Sequence, residues 1–431
     1  MKRLSSWGLL SAELHKVQQP FDQISAVKQI TRGDVGIAFG NGRSYGDAAL
    51  NPNGVVWDTH SLDHILLFDR EMGRLSCESG VLLRDIQTLA MPSGWMLPVS
   101  PGTQLITIGG AIANDVHGKN HHQFGSFGDH IIQIKVLRTD GEVIVCGPDS
   151  NQLWFEATLG GIGLTGVIIE ATVQLRRIPG PWFEIETIPY RNLSQFFELA
   201  DESEAGWEHT VSWVDCAGGT EVRGLFKRGN FSKNASGFLP KAKTKTMIFT
   251  PPISLVNGVS LRLFNYLYFE LNKLKQGSGR AYYQSFLYPL DHLAHWNRMY
   301  GVKGFYQYQC VVPRDLGPEA IAAMLGEIKR SGQGSFLTVL KTFGQRRSLG
   351  MLSFAKPGVT LALDFPNQGE RTLALMNRLD SLVKQANGRI YLAKDARMSK
   401  SLFEAGYPRL SEFVNYRDPG ISSAMSRRLI D

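Results

Sequence analysis

The sequence predicts an α+β protein of two domains, and three observations carry that prediction. Its first half reads as short strands punctuated by glycine turns, and its second half reads β-α-β-β-α-β. Between them the run Arg177-Ile178-Pro179-Gly180-Pro181 breaks the pattern. A length of 431 residues also exceeds one typical compact core.

In order along the chain, residues 35–39, 54–58, 131–137, 143–146 and 166–175 are rich in β-branched residues and bounded by turn residues, so they read as strands. Asp140-Gly141 between two of them signals a hairpin. Residues 83–90 and 152–158 read as helices. Beyond the break, 306–312 predicts a strand, 318–330 an amphipathic helix, and 335–343 and 360–365 two more strands. A helix over 370–386 and a last strand over 389–393 complete the series. That order predicts an antiparallel sheet with helices on one face.

The segment 241–280 fits neither pattern. Lys241, Lys243 and Lys245 precede Met247-Ile248-Phe249, then Pro251-Pro252 and an apolar tract from Leu261 to Leu271. Asn257, Gly258 and Arg262 interrupt it, so no run of ~20 apolar residues exists to span a bilayer. Two readings stand: a buried or lid-forming helix, or an interfacial patch touching lipid.

Apolar content of 43% with 20% charged residues argues against extended disorder. Cys77, Cys146, Cys216 and Cys310 lie far apart without paired spacing, which predicts small buried residues rather than a disulfide framework or zinc site. Met1-Lys2-Arg3-Leu4-Ser5-Ser6-Trp7 lacks the apolar core of a signal peptide, so a cytoplasmic protein is expected, with peripheral contact at the inner membrane left open. The net charge of +7 suits phosphate or anionic lipid, but no nucleic-acid motif accompanies it and no nucleic-acid partner is expected.

Three glycine-rich stretches carry the chemistry. The first is Gly40-Asn41-Gly42-Arg43-Ser44-Tyr45-Gly46-Asp47, directly after a strand. Backbone N–H groups in such a turn form an anion-binding concavity. Gly46, Asn51-Pro52 and Gly54 forbid a following helix, so this is no Rossmann turn. The second runs through Gly102, Thr107, Gly109, Gly110 and Asn114 to Val116-His117-Gly118-Lys119. The third is Gly160-Gly161-Ile162-Gly163-Leu164-Thr165-Gly166. Small residues imply close approach of a ligand to backbone, and three such stretches in one domain suggest a long, flat one. His117, His121 and His122 have a His-x-x-x-His-His spacing that would face a metal on a helix. Gly118 and Asn120 oppose a helix and no acidic ligand completes the set, so loop histidines and no metal are expected.

These motifs resemble the vanillyl-alcohol-oxidase-type (PCMH-type) FAD-binding family, and nearly end to end its oxidases of polyprenyl-phosphate-linked pentoses. The resemblance rests on residues 42–47, 116–122, 125–128 and 161–166, and continues through Gln307-Tyr308-Gln309, Ser335-Phe336-Leu337, Asp364-Phe365-Pro366 and Ala393-Lys394-Asp395. It implies an FAD domain over 1–178, a substrate domain over 179–388, and a segment 389–431 returning to the FAD domain. It implies FAD contacts from Gly40, Asn41, Gly42, Arg43, Ser44, Tyr45, Gly46 and Asp47 as the pyrophosphate loop. Gly102, Thr107, Gly109, Gly110, Asn114 and His117 correspond to a second wall, with Ile168 and Tyr391 as further contacts. Many relatives link FAD covalently through a histidine where Tyr45 stands, so non-covalent FAD is expected here.

The same resemblance makes Lys394 and His117 the catalytic candidates in oxidation of a sugar secondary hydroxyl, with Lys394 as base or as support for charge on the flavin. Lys119, Trp213, Gln309, Lys341, Phe343 and Thr360 match substrate-pocket positions. A polyprenyl-phosphate sugar is the implied substrate, a separate short-chain reductase the implied partner, and a small sugar alcohol or aldonolactone the alternative substrate. Three departures change that pocket: Thr360 replaces an asparagine, Ala362 a cysteine, and Leu287 a tyrosine.

Overall fold

The computed structural model describes residues 1–218, 222–233 and 244–431, so Lys241 and Lys243 lie outside the described residues. Two larger sheets build the first half, beside a two-stranded pairing of Trp95–Met96 with Arg176–Arg177. One orders its strands Lys2–Ser5, Ala12–Gln18, Val55–Asp58, Gly36–Phe39. The other is antiparallel, ordered Ile65–Asp69, Arg74–Glu78, Val167–Gln174, Ile131–Leu137, Val143–Cys146. The Asp140-Gly141 hairpin forms as its sequence dictates: Gly141 takes φ +94° and Arg138 N donates to Glu142 O at 2.9 Å. Helices Leu83–Ala90 and Gln152–Thr158 stand where expected.

The second half is built on an eight-stranded sheet with every pairing antiparallel. Its order is Gly277–Tyr282, Trp182–Tyr190, Gly224–Phe231, His209–Val214, Val339–Phe343, Gly358–Pro366, Phe305–Val312, Arg389–Ile390. Period-two alternation sorts its side chains. Tyr308, Cys310 and Val312, with Leu361, Leu363 and Phe365, join a core shared with helices Leu193–Ser203, Gly317–Ser331 and Glu370–Gln385. Each fully buried leucine there contributes ~1.5–3 kcal/mol. Gln307 and Gln309, with Thr360, Ala362 and Asp364, point from the opposite face into a cavity. Helix Gly317–Ser331 carries Pro318 in its first turn and ends on Gly332 at φ +67°, the punctuation such a helix needs.

Two expected strands are shorter than the sequence suggested. Regular pairing in 335–343 begins only at Val339, because Ser335 Oγ accepts from Leu337 N and Asp364 N at 3.0 and 3.1 Å, replacing ladder bonds. The last strand stops at Ile390. There Tyr391 O accepts from Lys394 N at 3.0 Å and Asp395 N at 3.1 Å, which winds Leu392–Lys394 into a 3₁₀ turn.

The awkward segment contains a helix, Gly258–Lys273, capped by Asn257, whose Oδ1 accepts from Val259 N and Ser260 N. Leu261, Asn265 and Phe269 face inward. Val259, Leu263, Leu267 and Leu271 form an exposed i, i+4 ridge, and Ile248, Phe249 and Ile253 are also exposed. Among the described residues no helix is long and apolar enough to cross a membrane. All four cysteines are buried and unpaired.

The chain end folds back on its beginning. Gly36 N donates to Gly420 O at 3.1 Å, and Ala424 N to Leu50 O at 2.7 Å. Arg428, in helix Ala424–Leu429, bonds Asp47 Oδ1 and Asp395 Oδ2, each at 2.9 Å.

Candidate active site

A cavity of about 750 Å³ runs between the glycine-rich loops and the open face of the large sheet. The loop after strand Gly36–Phe39 supplies one wall, and no helix follows it. A Cβ on Gly40 would stand 2.4 Å from Thr107 Oγ1, and Gly42 takes φ +58°, so both positions demand glycine. Asn41 is pinned, donating to Leu105 O at 2.6 Å and meeting His60 Nε2 at 3.1 Å. Arg43 stacks on Trp7, 4.0 Å from the ring centroid.

The second wall is helix Ile108–Ala113, where Thr107 Oγ1 accepts from Gly110 N at 3.1 Å. Gly109 packs so closely on Ser79 that a Cβ would lie 2.9 Å from it. Asn114 donates to Gly110 O at 2.8 Å, and its own carbonyl accepts from Tyr391 Oη at 3.0 Å.

Arg43 Nε, Ser79 Oγ and Asn114 Oδ1 are buried without hydrogen-bond partners, and all three residues line the cavity. An unsatisfied buried polar atom costs ~1–3 kcal/mol, so the wall is completed by a polar ligand. Beside Gly102 a Cβ would meet nothing within 4 Å. Orphaned polar atoms along a long, glycine-lined cleft fit a flat dinucleotide such as FAD.

The far end holds a cluster of titratable side chains. His117 is buried against Phe343 and Tyr391, ring centroids 4.8 and 5.6 Å away. The Gln309 amide reaches His117 Nε2 at 3.0 Å and Thr360 Oγ1 at 3.3 Å; Lys341 Nζ reaches Nδ1 at 3.2 Å. Burial, then the charge of Lys341, hold the imidazole well below its usual pKa, so it stays neutral. Lys394 Nζ lies 3.8 Å from the Tyr45 ring centroid and forms no hydrogen bond to the described residues. Burial brings Lys394 down to about 7, partly offset by Asp364. Asp364 is itself pushed up to about 7 by burial, against a hydrogen bond from Gln307 at 2.7 Å. Burial also lowers Lys341 to about 7 and Lys119 to about 8.

Most of the expected site residues converge here: Gly40 to Tyr45, Gly102, Thr107, Gly109, Gly110, Asn114, His117, Ile168 and Tyr391 line the cavity. So do Lys119, Trp213, Gln309, Lys341, Thr360 and Lys394. Gly46, Asp47 and Phe343 do not. Gly46 is pressed onto Asp395, whose O would lie 1.7 Å from a Cβ, Asp47 is turned to Arg428, and Phe343 stands behind His117. His121 starts a separate short helix, His121–Phe124, and packs on Phe343 at 4.4 Å; His122 Nε2 meets Trp207 O at 2.8 Å. Among the described residues no His, Cys, Asp and Glu group is placed to hold a metal.

Trp7, Ser79, Lys227, Asp291 and Asp364 also line the cavity and were not expected from the sequence. Asp364 sat in a quoted motif; Lys227 and Trp7 stood in ordinary strand and N-terminal context, with no signal to raise them.

Residues 17–147 match a family model described as an FAD binding domain. With the α+β fold and the cavity, this makes the chain an FAD-dependent oxidoreductase of the vanillyl-alcohol-oxidase (PCMH) type. It is 36% identical, over 99% of its length and 97% of the relative's, to decaprenylphosphoryl-beta-D-ribose oxidase of Mycolicibacterium smegmatis, and it belongs to that family. Two further relatives match only about a third of the chain. D-lactate dehydrogenase of Anaerostipes hadrus is 30% identical over 34% of the chain and 32% of its own. L-gulonolactone oxidase of Mus musculus is 28% identical over 31% and 30%.

Proposed function

We propose that the protein oxidises a secondary hydroxyl of a polyprenyl-phosphate-linked pentose, such as decaprenylphosphoryl ribose, to the 2-keto sugar. The observation that carries this reading is the polar cluster His117–Gln309–Thr360–Lys341, with Lys394 opposite, in a cavity that also reaches Tyr268 of the apolar helix. The relative that covers nearly the whole chain is named for that substrate.

FAD, bound by the glycine-rich walls, supplies the hydride acceptor at N5. Lys394 takes the hydroxyl proton: near neutral pH a fraction is uncharged, and Asp364 stabilises the ammonium formed. His117 has both ring nitrogens engaged, so it orients the sugar rather than moving its proton. Gln309, Thr360, Lys341 and Lys119 offer polar contacts to the sugar. Trp213 and Phe343 shape the pocket, Phe343 through His117. Tyr45 in the first loop favours dissociable FAD. The three-part division at 178 and 388, a partner short-chain reductase, and peripheral contact at the inner membrane through the exposed ridge belong to the same reading.

Anaerobic titration tests it. A prenyl-phosphoryl ribose should bleach the visible flavin absorption; bleaching by a free alditol or aldonolactone instead would replace this substrate with the soluble alternative. Acid precipitation should leave the flavin in the supernatant, and yellow colour in the pellet would refute non-covalent attachment.

A further inference from the structure

The cavity wall carries five cationic side chains but only two acidic ones, Asp291 and Asp364. Asp291 offsets Arg43 and Asp364 offsets Lys394. Lys341 is taken up by His117 and by Gly118 O at 3.2 Å. Lys119 and Lys227 remain, and neither is in an ion pair among the described residues. Lys119 donates to Leu287 O at 2.7 Å, and Lys227 lies 5.9 Å from the Tyr268 ring centroid. Lys227 raises the cost of charging Lys119, which Asp291 offsets only in part.

The sheet order acts as a ruler. Lys341 lies on strand Val339–Phe343; Lys227 lies two strands on, paired with Val211 in register, and so about 10 Å away at the backbone. Lys119, two residues beyond His117, joins the two positions. Past Lys227 the lining turns apolar, with Ile185, Ala281 and Phe286, and Tyr268 brings in the helix with the exposed ridge. A half-buried ammonium without a counter-ion is costly unless a ligand brings the anion.

We propose that Lys119 and Lys227 form the phosphate subsite, gripping the phosphodiester between sugar and prenyl chain. The sugar then points to His117 and Lys394, while the chain runs along Ile185, Phe286 and Tyr268 toward the ridge. This rests on the function proposed above and assigns Lys227 a specificity role.

The test is calorimetric titration of the FAD-loaded protein with methyl farnesyl phosphate, a sugar-free phosphodiester, and with farnesol as the neutral control. Lys227→Met and Lys119→Met should each weaken the diester at least about tenfold and flatten the salt dependence of its Kd. Farnesol affinity should change less than about twofold, which also shows that the variants are folded. Lys227→Arg should restore most of the diester affinity. Equal diester affinity in wild type and Lys227→Met overturns the subsite, as does inorganic phosphate binding as tightly as the diester. Because the probe has no oxidisable sugar, these outcomes are independent of flavin bleaching, which alone decides the function.

Discussion

Lys394 and Lys341 are both half-buried amines brought to about 7, and they predict opposite things. If neutral Lys394 takes the substrate proton, flavin reduction by substrate rises roughly tenfold per unit as pH climbs toward 7, then levels off. Lys394→Ala should abolish this reduction, whereas Lys341→Met should keep the rising limb; stopped-flow absorbance across pH 5.5–9 on both variants, taken as roughly that range, checks it. For stability the sign follows from proton binding. A lysine with a folded pKa near 7 and an unfolded one near ~10.4 binds fewer protons folded across that interval. Its burial therefore costs most below pH 7 and least above ~10, so Lys341→Met should raise Tm more at pH 6 than at pH 10. The sequence displayed Lys394 and His117 through their motifs. Lys227 was invisible, because an isolated lysine in a strand looks like any solvated face until the sheet order sets it opposite Lys119.

Among the elements, the glycine-rich loop 40–47 and the 3₁₀ turn at Leu392–Lys394 behave as one unit. Tyr45 N donates to Ala393 O at 3.0 Å, and Gly46 leaves no room over Asp395. Gly46→Ala forces backbone against backbone, so a loss of ~3 kcal/mol or more is expected, with weaker FAD retention, read by thermal melting and flavin fluorescence. Long periodic segments such as 131–137, 152–158 and 370–385 were legible because pattern alone sets them. Residues 335–338 and 391–393 were not: the Ser335 hydroxyl and the Tyr391 carbonyl take bonds that a strand would have used. Helix Gly258–Lys273 buries Leu261, Asn265 and Phe269 on one side and exposes an apolar ridge on the other. Replacing Leu263 and Leu267 with aspartate should reduce flotation with anionic vesicles several-fold at unchanged Tm, since both side chains already face water. Equal flotation would remove the ridge from the membrane reading.

At the scale of the whole molecule, one arginine in helix Ala424–Leu429 ties together Asp47 of the first glycine-rich loop and Asp395. Asp395 is 3% exposed at its side chain and Asp47 21%, and both depend on Arg428 for charge balance. Arg428→Ala should cost ~3 kcal/mol, as breaking a buried ion pair does, and should loosen FAD more than an exposed substitution such as Arg330→Ala. Urea melts and equilibrium dialysis of FAD measure the two effects. The sequence did not show this tie, since a contact spanning 381 residues leaves no local trace. Its reach also sets a clock. At ~5–20 residues per second, a ribosome needs roughly 20–80 s after making Asp47 before Arg428 exists. Until then Asp47, and later Asp395, lack the cation that balances them in the folded chain. The joining of loop 40–47 to helix Ala424–Leu429 is therefore among the last contacts that synthesis makes available.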